Sequence, residues 1–302
     1  MTFTQLHSLS HYSFLKSASS PEELVAQAYE LHYQAIAITD ECSLAGIVKA
    51  HMCAKTLGIQ LLVGSQIRLS NGALLIVLAP NKTAYSELSW FITLARRRAP
   101  KGEYQAHFDD LRFRLKHCLI IWLVQFGEYH ITEDTRSIPF TDDFSGTFTK
   151  TFAKQLHQTF KQRLWVGINH QWHGHEQQNF ARWQGLAQPY SIPLVACNHI
   201  AMHDKQHKTL HDTLTAIHHN TTVMNLGQKI DSNAEAYLKS PEQLKALYPE
   251  ELLHQTEVIS QLCHFSMDEL LYQYPQELVP KDTNPTAYLT QLVQTGAAKR
   301  WP

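Results

Sequence analysis

A chain of 302 residues that is 44% hydrophobic and 10% aromatic can bury the core of one large α/β domain with an appendage. Low-complexity tracts and 20-residue apolar spans are absent, which argues against a disordered chain and against a membrane-spanning one. With 26 basic and 27 acidic residues the net charge is −1, so the chain lacks the basic excess by which free-standing DNA-binding domains neutralise phosphates.

The first segment, Met1-Thr-Phe-Thr-Gln-Leu, runs straight into a strand pattern without a basic and then apolar leader. Five scattered cysteines, Cys42, Cys53, Cys118, Cys197 and Cys263, form no CxxC pair. Both features predict a reduced, cytoplasmic protein. Along the chain, Gln5–Leu9 predicts a short strand. Ser20-Pro-Glu-Glu predicts a helix start, with Ser20 as N-cap, Pro21 at the first position and acidic residues in the first turn. Strand patterns follow at Ala35–Ile38, Ile59–Val63, Ala73–Ala79, Cys118–Val124, Leu164–Ile168 and Pro193–Cys197. Helix patterns lie at Leu44–Leu57, Tyr85–Arg97, Phe148–Phe160 and Glu176–Ala187, and Asn71-Gly72 marks a hairpin turn. Six or seven βα-like units point to an α/β barrel or a related parallel sheet. After about residue 205 the pattern is helical, at Thr209–His219, Pro241–Leu247, Glu250–Cys263 and Ala287–Arg300, with a proline-punctuated extended run at Tyr272–Pro280. The expected organisation is a barrel over 1–205 and a helical extension over 206–302.

Two early segments carry chemistry. Gln5-Leu-His-Ser-Leu-Ser-His-Tyr-Ser13 places His7 at the end of one strand, and Ala37-Ile-Thr-Asp-Glu41 places Asp40 at the end of the next. On a parallel sheet both fall on one rim, where α/β folds seat ligands and catalytic groups. Together with the longer runs Leu6–Leu15 and Ala37–Gly46, these segments resemble the first two motifs of the PHP (polymerase and histidinol phosphatase) metal-dependent hydrolases. Within that family they are most similar to the PHP domain that opens bacterial C-family DNA polymerases, in particular the error-prone alpha subunit. The resemblance is strongest at residues 5–46, at Tyr85–Tyr104 with Thr93-Leu-Ala-Arg-Arg-Arg-Ala-Pro-Lys-Gly102, and at Tyr248–Pro280, and weakest at about 125–190. It implies a distorted seven-stranded barrel, and a chain that is the N-terminal piece of a longer polymerase, ending at Trp301-Pro302 before the palm.

The resemblance also implies a ligand set of histidines and carboxylates holding two or three divalent ions that activate water. His7 and Asp40 match it. Glu41 and His199 stand where the family has other ligands and can still bind a metal. Leu9 and Ala201 replace histidines, Gln66 replaces a glutamate, and the middle ligand has only Asn169 or His170 as candidates. A direct ligand is worth more than an outer-shell group, whose loss already costs roughly 10–100-fold. The expected reading is therefore a degenerate site, with no cofactor needed by this chain. Zn²⁺ or Mn²⁺ at His7, Asp40, Glu41 and His199 is the alternative, and Mg²⁺ belongs to the parent polymerase.

The dense basic run Arg96-Arg97-Arg98 with Lys101 reads either as a contact to DNA or a partner, or as a solvated helix end. His170-Gln-Trp-His-Gly-His-Glu176 reads as an exposed loop, and His218-His219 as surface. His199 and His203 stand four apart, a spacing that shares a metal only on a helix, and this stretch follows a strand directly. Neither a Gly-x-Ser-x-Gly elbow nor a glycine-rich phosphate loop occurs. Two functions stay open: a structural module of an error-prone polymerase acting in DNA replication and lesion bypass, or a metal-dependent phosphoesterase or 3′–5′ exonuclease. Under the first, the implied partners are the rest of the polymerase chain, DNA, Y-family-like and RecA-like accessory proteins and the sliding clamp.

Overall fold

The computed structural model describes residues 3–124, 147–170, 176–270, 279–280 and 283–301. In chain order the elements are β1 (Thr4–Gln5), α1 (Pro21–Glu30), β2 (Ala35–Ile38), α2 (Ile47–Leu57), β3 (Gln60–Arg68) and β4 (Leu74–Leu78). They continue with α3 (Lys82–Arg97), α4 (Phe108–Arg114), β5 (Leu119–Leu123), α5 (Thr147–Phe160), β6 (Leu164–Ile168), α6 (Glu176–Ala187) and β7 (Leu194–Ala196). The last helices are α7 (Lys208–His218), α8 (Pro241–Leu247), α9 (Glu250–Leu262) and α10 (Pro285–Arg300). A compact unit runs to Glu269, and a second, smaller one covers the remainder.

Local chemistry accounts for several boundaries. α1 starts in a capping box: the Ser20 hydroxyl accepts the Glu23 N–H at 3.1 Å, and the Glu23 carboxylate accepts the Ser20 N–H at 2.7 Å. α2 stops at Gly58, whose φ of 78° is a left-handed conformation that glycine adopts without a Cβ clash. α2 begins at Ile47, three residues later than the pattern predicts, because Leu44–Gly46 form a turn that presses Gly46 against the site. The short helix α4 was not predicted: seven residues with Leu111 as their one buried position carry too little periodicity.

The strands form one seven-stranded sheet in the order β1 to β7. All neighbours pair in parallel except β4, which is antiparallel to β3 and to β5. The Asn71-Gly72 turn explains that reversal, since it joins β3 and β4 as a hairpin. Side chains alternate across the sheet. Ala35, Ala37, Leu62, Leu74, Ile76, Leu78, Leu119, Ile121, Leu123, Trp165, Val195 and Cys197 share one inner core, while Ile36, Ile38, Leu75, Val77, Ile120 and Trp122 are buried on the other face. Gly167 keeps the interior filled without overlap, because a Cβ there would lie 2.5 Å from Leu123 Cδ2. The result is the curled, distorted α/β barrel that the family resemblance implies.

β1 and β7 are not paired as strands, and the seam between them is closed in two ways. At one end Ser8 bridges Ile200, Leu9 N–H donates to the Ile200 carbonyl at 2.8 Å, and Ala18 N–H donates to Ala201 at 2.9 Å. At the other end α9 fills the gap, with Ile259 and the adjoining Cys263 in the inner core. Its Thr256 hydroxyl accepts the β1 edge N–H of Thr4 at 3.3 Å, and Gln255 accepts the Trp165 indole N–H at 3.0 Å. α9 is thus integral to the barrel, and the boundary expected at 205/206 falls inside the first compact unit. The second unit holds α10, capped by Asn284, with Leu289, Leu292 and Val293 exposed. Tyr272–Pro280 lies largely outside the described residues.

Ile259→Ala should destabilise the chain by about 2–5 kcal/mol, because it empties the plug of the seam. Leu289→Ala on exposed α10 should stay within about 0.5 kcal/mol. Urea unfolding of both variants checks this, and an Ile259→Ala midpoint equal to wild type would remove α9 from the core.

Candidate metal centre at the barrel mouth

His7 follows β1, Asp40 and Glu41 follow β2, Gln66 lies in the second half of β3, and His199 follows β7. The topology therefore brings the early and late sequence segments to one rim. His7 and His199 stand with ring centroids 4.8 Å apart, and His7 Nε2 lies 2.7 Å from Gln66 Oε1. An amide oxygen only accepts, so the imidazole proton sits on Nε2. His7 Nδ1 is then a buried lone pair without a hydrogen-bond partner. Burial, and secondarily the nearby His199, push the His7 pKa well below the usual histidine value, against the opposing Gln66 hydrogen bond. Burial also lowers His199 to about 4, with Asp231 pulling it upward and His211 downward.

Asp40 is buried and accepts three hydrogen bonds, from Ser10 N–H, the Ser10 hydroxyl and the Ser13 hydroxyl, each at 2.7 Å. Burial raises its pKa, and those serine bonds oppose the rise. A Cβ on Gly46 would sit 2.7 Å from Asp40 Oδ2, so the backbone itself closes that side of the carboxylate. Glu41 is engaged elsewhere. Lys16 Nζ lies 2.5 Å from its Oε2, and the Tyr104 hydroxyl donates to Oε1 at 2.9 Å. Burial alone would raise the Glu41 pKa, but Lys16, Tyr104 and Arg68 together bring it below the usual range.

Backbone strain marks the same place. Cys42 has φ 45° and Leu15 φ 60°, left-handed conformations unusual for residues other than glycine. Arg96 holds the first of these, donating to the carbonyls of Glu41 at 3.0 Å and Cys42 at 3.2 Å. Of the predicted basic run, Arg96 is therefore spent on backbone, and Arg98 pairs with Asp110. Arg97 and Lys101 are exposed. Of the middle-ligand candidates, Asn169 Oδ1 accepts the His199 N–H at 3.2 Å, and His170 N–H donates to the Tyr248 hydroxyl at 3.1 Å. Most of the histidine-rich loop after His170 falls outside the described residues.

The donor set does not fit a multinuclear metal centre. Leu9 and Ala201 are buried and apolar, Gln66 spends its oxygen on His7, and both carboxylates already have protein partners. Among the described residues, three ligand atoms from His, Cys, Asp or Glu gather within 4.8 Å at Glu23, His203 and His207, and not at His7, Asp40, Glu41 and His199. Sequence reasoning missed Lys16, Ser10, Ser13 and Tyr104. The readable signal was Lys16, a cation close behind the first motif of a site short of ligands.

Residues 5–171 match the PHP domain family. An error-prone DNA polymerase of Saccharophagus degradans is 53% identical over all 302 residues, and one of Teredinibacter turnerae is 51% identical. The chain spans 28% of the first relative's length and 27% of the second's. A solved amidohydrolase from Chromobacterium violaceum is 12% identical, with a TM-score of 0.47, covering 67% of this chain and 88% of that one.

Acid should destabilise the barrel through the two mouth histidines. Both have lowered folded pKa values, so their contribution to stability is full above the unfolded value of about 6.5. For His199 it is lost as pH falls toward about 4, and for His7 as pH falls through its own lowered value. Asp40, raised, acts in the opposite sense: its contribution is present at low pH and lost as pH rises through its folded value. Urea midpoints should fall between about pH 7 and pH 4.5, and His199→Gln should flatten that slope. A wild-type midpoint that stays level over this range contradicts a buried neutral pair.

Proposed function

The chain belongs to the PHP domain family, and from that premise we propose that it is the N-terminal PHP module of an error-prone DNA polymerase and acts there as a non-catalytic scaffold. Its relatives of matching sequence carry that polymerase name and are several times longer, which supports a role within a larger chain. The observation that carries the scaffold reading is the Lys16–Glu41 contact, backed by the serines on Asp40. An ammonium and three hydroxyl and amide donors occupy carboxylates that a metal enzyme would keep for its ions. In this reading the polymerase palm, its Mg²⁺ and the DNA contact belong to the rest of the chain. The accessory Y-family-like and RecA-like proteins and the sliding clamp belong to the assembled complex. The exposed Arg97 and Lys101 are the residues of the basic run left to touch DNA or a partner. Among the described residues no helix is long and apolar enough to cross a membrane.

One observation favours the alternative of a metal-dependent phosphoesterase or exonuclease. His7 Nδ1 is buried, unpartnered and 1% exposed with its ring, the kind of lone pair an ion would satisfy. The two readings separate by experiment. The 302-residue chain should release neither nitrophenol from aryl phosphate esters nor nucleotides from single-stranded DNA 3′ ends with Mn²⁺, Zn²⁺ or Mg²⁺. Turnover abolished by His7→Ala would establish the enzyme instead.

The Lys16–Glu41 pair makes a second prediction. Lys16→Met strands the Glu41 carboxylate and should cost about 1–3 kcal/mol, at the lower end because Lys16 is half exposed. Adding Glu41→Gln should recover part of that loss. A double-mutant cycle with no coupling would show that Lys16 does not hold the pocket together.

A further inference from the structure

A second ligand cluster lies outside the inherited mouth, at the outer side of the barrel seam. Glu23 stands in the first turn of α1, and His203 and His207 follow β7. Each offers one imidazole nitrogen or carboxylate oxygen, and these atoms lie within 4.8 Å of one another. We propose that Glu23, His203 and His207 bind one transition-metal ion of the zinc class, which staples the segment after β7 to α1 across the seam.

The side chains are already oriented. Ser20 N–H and its hydroxyl donate to Glu23 Oε2 at 2.7 and 2.9 Å, fixing the carboxylate. The Ser19 hydroxyl accepts the His203 N–H at 2.8 Å and lies 2.8 Å from His203 Nδ1, so one serine sets both the backbone and the ring. Such outer partners are what hold metal-bound histidines in register. The His203 and His207 rings stand with centroids 4.2 Å apart. An independent observation points to a ligand: His207 Nδ1 is shielded from solvent and has no hydrogen-bond partner. A shielded ring nitrogen left without a partner is costly unless something pairs with it.

Two imidazoles and a carboxylate suit Zn²⁺, Co²⁺ or Ni²⁺ better than Mg²⁺ or Ca²⁺, which prefer all-oxygen shells. Bonds of about 2.0–2.2 Å require only a modest inward rotation of the three side chains, and a fourth position stays open to water. The Glu23 charge makes a cation tolerable beside a helix N-terminus, which otherwise favours anions. The seam gains most from such a link, since hydrogen bonds and short bridges are what join β1 and β7 there.

The test titrates the 302-residue chain with Zn²⁺ by calorimetry and with Co²⁺ by visible absorption, and follows thermal unfolding with and without Zn²⁺. One ion per chain and a raised melting temperature are expected. Glu23→Gln, which keeps the capping box, and His207→Ala should each weaken binding at least roughly tenfold and abolish the thermal shift. His7→Ala should leave both unchanged, which separates this site from the barrel mouth. No saturable binding by wild type, binding unaltered in both variants, or binding lost in His7→Ala would each overturn the proposal.

Discussion

A carboxylate taken out of water must be met by a cation or by hydrogen-bond donors, and the mouth of this barrel is organised around that requirement. Asp40 and Glu41 emerge side by side from β2 into a buried rim. In a metal-dependent relative, ions would meet the need. Here the loop after β1 does so, with Ser10, Ser13 and Lys16 all within nine residues of His7. The same loop therefore cannot move without exposing two charges. That ties its left-handed turn at Leu15 to the strained residue Cys42 on the opposite side, which Arg96 pins through two carbonyls.

The substitutions at the ligand positions are mutually consistent. Leu9 and Ala201 do not leave holes; both are buried, and their backbones carry the hydrogen bonds that close the seam between β1 and β7. Gln66 keeps the reach of a glutamate without its charge and takes the proton side of His7. Gln66 carries no charge where a glutamate is expected, and Lys16 adds a cation beside Glu41, so protein groups partner both carboxylates.

Much of the architecture was legible because strand and helix periodicities are strong here. Ala35–Ile38, Leu164–Ile168, Glu176–Ala187 and Pro241–Leu247 fall where the pattern puts them. The reversal at β4 was written in Asn71-Gly72. The fate of α9 was not legible, because a helix that plugs a sheet and one that lies on an extension share the same amphipathic repeat. At the site, strand ends put His7 and Asp40 on one rim and the family motif pointed to Gln66 and His199; the structure brings His7, Gln66 and His199 together. What Asp40 and Glu41 bind could not be read, since hydrogen bonds from Ser10, Ser13 and Tyr104 depend on loop paths that no periodicity encodes. The basic run misleads for a related reason: a count of charges does not reveal that Arg96 faces backbone carbonyls and Arg98 faces Asp110.

The helix that fills the seam also sets a timetable for synthesis. Thr4 receives its partner from Thr256, 252 residues later in the chain. At about 5–20 residues per second, ~13–50 s of translation separate the two. β1 therefore stays incomplete until α9 has been made, and Leu6 with the inner faces of β2 to β7 must wait beside an open edge. Contacts of such high sequence separation slow closure further once the chain is whole. The nascent barrel therefore spends most of its synthesis as an unfinished sheet with apolar strand edges in the open.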